Sequence, residues 1–114
     1  MDHDDVLNLF CFAKDVQPLY PEPGLRRFIL ATGSQMMLVR HLMDEGYQGA
    51  AHSHPHDQMV YVLAGRLRVV VAESTFEVGP QDSFIVPGGV QHQATALEAA
   101  DVLDAFTPQR RDYL

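Results

Sequence analysis

Residues 46–65 read GYQGAAHSHPHDQMVYVLAG. Three of the chain's six histidines, His52, His54 and His56, crowd into this segment. A strand-like run follows directly. Residues 58–64 place Gln58, Val60, Val62 and Ala64 on one face of an extended chain and Met59, Tyr61 and Leu63 on the other. Both faces are largely apolar, so both are expected to be covered. The imidazoles either open a strand that leads into a site or sit in an ordinary exposed loop. The rest of the chain decides between these readings.

Outward from this segment the punctuation is dense and regular. Turn clusters fall at residues 18–24, 32–35, 44–49, 64–65, 72–74, 79–82 and 87–89. Between them lie short runs rich in Val, Ile, Leu, Met, Phe and Tyr, the rhythm of a sandwich or barrel. Two stretches, 5–13 and 96–103, compete as helix. Pro18, Pro21 and Pro23 stop the first early. The second has helix-favouring Ala, Leu and Glu, but its all-β surroundings make it a predicted strand. In 102–106, Val102, Asp104 and Phe106 share a face. Asp104 therefore lies either at a sheet's solvent face or inside a functional pocket.

The chain has 114 residues, 46% of them hydrophobic and 20% charged. That suits one globular domain. A net charge of −7 argues against nucleic acid or an anionic membrane as partner, but not against a small anionic ligand. Cys11 is the single cysteine, so neither an intrachain disulfide nor a thiolate zinc cluster is available. The opening Met-Asp-His-Asp-Asp lacks a signal-peptide pattern, and no apolar run reaches membrane-span length. The expected location is cytoplasmic.

His52 and His54 stand two apart, which in an extended chain points both rings to one side. Gln58 heads the next strand with an amide oxygen to offer. His92 follows the turn at Pro87-Gly88-Gly89, which sends the chain back across the sheet. Together these four side chains form a candidate set of divalent-metal ligands. His56 is expected at the rim. His3 is expected in solvent. Of Arg40 and His41, neighbours in a predicted strand, one faces the interior, and parity alone leaves open which.

The spacing Gly46, His52, His54, Gln58, Gly65 resembles the first motif of the cupin superfamily, and Pro87, Gly89, His92 resembles the second. The resemblance implies an all-β cupin double-stranded β-helix, a jelly-roll barrel with little helix. It implies one domain over 1–114: an N-terminal strand or arm (1–24) in dimer contact, a barrel (25–107) and a C-terminal tail (108–114). Residues 7–13 are apolar enough for pairing with a second copy, so a homodimer is expected. His52, His54, Gln58 and His92 are the implied ligands. Three positions depart from the common pattern: Gln58 replaces Glu, Gln81 replaces Gly and Ala96 replaces Asn. With Gln58, every ligand is neutral and the ion keeps its full +2 charge, which favours Lewis-acid over redox chemistry. Ni, Zn, Fe, Mn and Co all suit such N and O donors.

The C-terminal run Leu103-Asp104-Ala-Phe106-Thr-Pro108-Gln-Arg110 further resembles the pectin-degradation cupins of the KdgF type. That resemblance implies pocket roles for Asp104, Phe106 and Arg110. Arg111 matches no pocket position and is expected to be exposed. The implied activity is ring opening and ketonisation of 4,5-unsaturated monouronates from pectin or alginate. Asp104 is suited to moving the proton, and Arg110 to gripping the substrate carboxylate. A ferrous cupin dioxygenase and a non-catalytic sugar-binding barrel are the alternatives.

Overall fold

A computed structural model describes residues 6–114. His3 and the first residues of the expected N-terminal arm lie outside that range. Nine strands run in order: β1 (Leu19–Glu22), β2 (Leu25–Thr32), β3 (Met37–Met43), β4 (Asp57–Ala64), β5 (Leu67–Val71), β6 (Ser74–Val78), β7 (Ser83–Val86), β8 (His92–Ala96) and β9 (Ala100–Thr107). They form a six-stranded sheet, β1-β2-β3-β9-β4-β7, and a three-stranded sheet, β6-β5-β8. Every pairing is antiparallel. The only helical pieces among the described residues are two three-residue 3-10 turns. This is the jelly-roll that the cupin resemblance implies, and it agrees with the sandwich-or-barrel rhythm of the strands.

The two sheets bury their inner faces against each other. Val60, Val62 and Val102 of the large sheet meet Leu67, Val69, Val78 and Ala96 of the small one. Each fully buried aliphatic side chain contributes about 1.5–3 kcal/mol relative to exposure. A smaller cluster, Met37, Val39 and Phe106, closes the barrel near the candidate ligands. Parity on β9 works as expected: Val102, Asp104 and Phe106 all point inward and are buried.

Four expectations need correction. Residues 18–24 are not all turn, because β1 occupies four of them. Its Pro21 is tolerated because β1 is an edge strand, where a missing N–H breaks no ladder. Residues 96–103 are not one strand: β8 ends at Ala96, a turn follows, and β9 starts at Ala100. Nor are both faces of β4 covered. Met59, Tyr61 and Leu63 are exposed, with Leu38 and Ile85 beside them on the outer face of the large sheet. Sheet-face composition cannot tell a covered face from a bare apolar one. Residues 7–13 form no strand either. Asn8 alone bridges Thr32, and Leu9, Phe10 and Phe12 project into solvent.

Two glycines hold the loops around the barrel. Gly65 ends β4 with φ +86°, and a Cβ there would lie 2.1 Å from the Ala99 carbonyl oxygen. At Gly88 a Cβ would lie 2.2 Å from the carbonyl oxygen of Pro55. The Gly88 and Gly89 amides donate to Asp57 Oδ1 and to the His54 carbonyl, both at 2.7 Å. The turn before His92 is thus tied to the loop that carries His54. Gly65→Ala should cost about 3 kcal/mol, from the left-handed backbone and the overlap together. Gly33, where a Cβ meets nothing within 4 Å, should tolerate Ala within about 0.5 kcal/mol. Thermal melts of both variants check the contrast, and equal losses would contradict it.

Candidate metal centre

The His52 and His92 backbones exchange two hydrogen bonds, of 3.0 and 2.8 Å. This bridge sets the two rings side by side, centroids 4.4 Å apart. His54 closes the triangle, 4.8 Å from His92 and 5.6 Å from His52. Ligand atoms from the three rings lie within 4.8 Å of one another. His54 and His92 are buried, while His52 is exposed and marks the open side.

Backbone carbonyls fix which nitrogen of each ring is free. His52 Nδ1 lies 2.9 Å from the Ala50 carbonyl oxygen, His54 Nδ1 lies 3.0 Å from that of His56, and His92 Nδ1 lies 2.9 Å from that of Val90. A carbonyl only accepts, so each Nδ1 carries the proton and each Nε2 keeps its lone pair. Backbone-held imidazoles of this kind are the usual supports of metal ligands. Burial disfavours the imidazolium forms of His54 and His92, and the positive charge of Arg110 adds to the effect at both. His92 Nε2 is buried with no partner among the described residues.

Gln58, at the head of β4, completes the arrangement. Its amide nitrogen donates to Asp104 Oδ1 at 2.8 Å, which turns its oxygen toward His54 Nε2 at 3.0 Å. Both atoms of that second pair are acceptors. Flipping the amide would place its oxygen against a carboxylate instead. Two acceptors held face to face are stable when a cation lies between them. The donor set thus fits a divalent ion: three imidazole nitrogens and one amide oxygen, all neutral.

Asp104 is the hub behind the ligands. Its position on β9 resolves the earlier alternative in favour of the interior. Its neighbours are not purely apolar: Oδ1 accepts from Gln58 and Oδ2 accepts from His41 Nδ1 at 2.7 Å. His41 is the member of the Arg40–His41 pair that faces inward, whereas Arg40 forms a two-point ion pair with Asp101. Behind His41 stands Arg27, whose Nε donates to His41 Nε2 at 3.0 Å. A guanidinium has no acceptor, so His41 carries its proton on Nδ1 and donates it to Asp104.

The remaining expected residues take mixed positions. Phe106 is buried and packs edge-on against His54, centroids 5.8 Å apart. His56 lies outside the triangle, its carbonyl supporting His54, as a rim residue would. Arg110 is buried, stacked on Phe106 at 4.9 Å and Tyr113 at 4.1 Å. Its Nε and one terminal nitrogen both donate to Asp112, at 3.0 and 2.7 Å. The two-point edge expected to face a ligand is therefore occupied by the chain's own carboxylate. Only Nη1 is left, buried without a partner among the described residues.

A cavity of about 310 Å³ opens between the sheets beside the ligands. Its wall includes His52, Gln58, His92 and Asp104, and also Arg27, His41 and Tyr113. Arg27 and Tyr113 were not singled out from the sequence, and the choice between Arg40 and His41 was left open there. The signal for Arg27 and His41 lies in the β2–β3 register, which sets the two opposite each other.

Comparison with known proteins bears on this geometry. Residues 39–106 match the model of the cupin domain family. The pectin degradation protein KdgF of Dickeya dadantii is 32% identical over 93 residues, covering 80% of this chain and 84% of that protein. The crystal structure of an RmlC-like cupin from Shewanella frigidimarina superposes with a TM-score of 0.89 at 31% identity, covering 94% of this chain and 96% of that one. The structure of KdgF from a Halomonas species does so with a TM-score of 0.87 at 34% identity, covering 92% and 97%. With this fold, this ligand triangle and these relatives, the chain belongs to the cupin family and resembles its KdgF type.

Proposed function

We propose that this protein opens and ketonises 4,5-unsaturated monouronates left by the cleavage of pectin or alginate. The observation that carries the reading is the pairing of a neutral four-donor centre with a carboxylate, Asp104, on the wall of one small cavity. Similarity to pectin degradation protein KdgF supplies the substrate class. A volume near 310 Å³ suits a single small ligand.

The reaction needs no oxidant. The anomeric hydroxyl loses its proton and its carbon becomes an aldehyde as the bond to the ring oxygen breaks. The ring oxygen leaves as an enolate, and a proton delivered to carbon gives the ketone. Asp104 takes the first proton and returns it to carbon, with His41 and Gln58 holding the carboxylate in place. Arg110 sets a positive charge beside His54 and His92, where negative charge develops. Phe106 packs against His54 and keeps that side apolar. A divalent ion held by His52, His54, Gln58 and His92 supplies Lewis acidity, undiminished by any anionic ligand. That donor set favours this chemistry over oxygen activation.

The protein is further proposed to form a homodimer through its N-terminal arm, whose Leu9, Phe10 and Phe12 are exposed. The outer face of the large sheet adds further bare apolar area, with Leu38, Met59, Tyr61, Leu63 and Ile85 exposed and Arg40 paired with Asp101.

Purified, metal-loaded protein should convert fresh lyase-generated unsaturated monouronate to the keto product well above the spontaneous rate. Asp104→Asn should lower the catalysed rate by about 10²–10⁴-fold. Conversion no faster than spontaneous opening would contradict the reading. Elemental analysis should find one divalent ion per chain in the wild type, little in His92→Ala and full content in His56→Ala. Equal metal in His92→Ala would contradict the ligand set. Light scattering at micromolar concentration should give a dimer mass, and a monomer mass would remove the dimer from the account.

A further inference from the structure

Arg27 and Arg26 are neighbours with different fates. Arg26 points outward and is exposed, whereas Arg27 turns into the barrel. Its guanidinium carbon lies over the Tyr113 ring, 3.6 Å from the centroid. Its Nε is committed to His41. Its two terminal nitrogens have no hydrogen-bond partner among the described residues. Stacked from one side and tethered at Nε, the group is held with the end-on fork of Nη1 and Nη2 as its remaining hydrogen-bonding edge.

The charge of the cavity wall is as informative. Arg27 is its single lysine or arginine. The acidic residues on the wall are already engaged: Glu22 accepts from the Tyr47 hydroxyl, and Asp104 accepts from Gln58 and His41. Arg110 is not on the wall, and its two-point edge belongs to Asp112. In a chain of net charge −7, a cavity that takes an anion needs a local cation.

We infer that Arg27 is the carboxylate-recognition residue of this cavity, binding a sugar acid through its Nη1–Nη2 fork. The inference rests on the uronate reading above and reassigns the carboxylate grip from Arg110. A planar fork already stacked and tethered loses little freedom on binding, which favours two-point capture of a carboxylate. Recognition is also tied to the reactive end of the site. The group that would grip the acid donates to His41, His41 donates to Asp104, and Asp104 orients Gln58. Arg27 is thus a specificity residue and, through His41, a positioning residue.

Calorimetry on metal-loaded protein tests this with two unreactive probes, D-galacturonate and its neutral counterpart D-galactose. Wild type should bind the acid more tightly than the neutral sugar. Arg27→Gln should weaken galacturonate about 10- to 100-fold, the range of a charge-assisted hydrogen bond, and leave galactose unchanged. Arg27→Lys keeps the charge without the fork and should fall between them. It also serves if the Gln variant melts early. Unchanged galacturonate affinity in either variant would overturn the assignment while leaving the function standing. So would a wild type that converts unsaturated uronate yet shows no preference for the acid probe. A wild type that neither prefers the acid nor converts the unsaturated uronate would remove both.

Discussion

The hydrogen bond from the Gln58 amide to Asp104 Oδ1 organises the site. Without it the amide is free to rotate and present its nitrogen to His54. With it, the amide oxygen is held against an imidazole lone pair, a contact that calls for a cation. The same bond spans β4 and β9, adjacent strands whose register sets Gln58 opposite Phe106 and Val60 opposite Asp104. Strand pairing, amide orientation and ion affinity are therefore one constraint seen at three scales.

Behind that bond runs a directional chain. Arg27 only donates, which makes His41 Nε2 the acceptor and His41 Nδ1 the donor, and leaves Asp104 to accept from both sides. Each member sits on the inner face of a neighbouring strand: β2, β3, β9 and β4 in spatial order. Polar groups buried without partners cost about 1–3 kcal/mol each, so a row that satisfies both oxygens of Asp104 and both ring nitrogens of His41 also fixes one arrangement of the barrel wall. The unpartnered buried atoms, His92 Nε2 among them, include one in the ligand triangle.

Much of this was legible in the residues. The spacing of His52, His54, Gln58 and His92 needs only strand geometry and one return of the chain. The parity of β9 needs only alternation, and it placed Asp104 beside Val102 and Phe106. What escaped depends on register or on competition. That Arg27 meets His41 follows from the β2–β3 hairpin, whose alignment is not written in either strand alone. That Arg110 spends its fork on Asp112 follows from the 3-10 turn Arg111–Tyr113, three residues of sequence with no periodic signal. The bare outer face of β4 was missed because apolar alternation looks the same whether or not something covers it. β1 was missed because its proline was counted as punctuation.

The central claim is that the three backbone-held imidazoles and the Gln58 oxygen share one cation. Crystals grown with a single divalent metal and measured at its absorption edge test this directly. The account expects one anomalous peak, bonded to the Nε2 atoms of His52, His54 and His92 and to Gln58 Oε1, with Asp104 behind it and not bound. A peak bonded through Nδ1, or one centred elsewhere in the barrel, would contradict it.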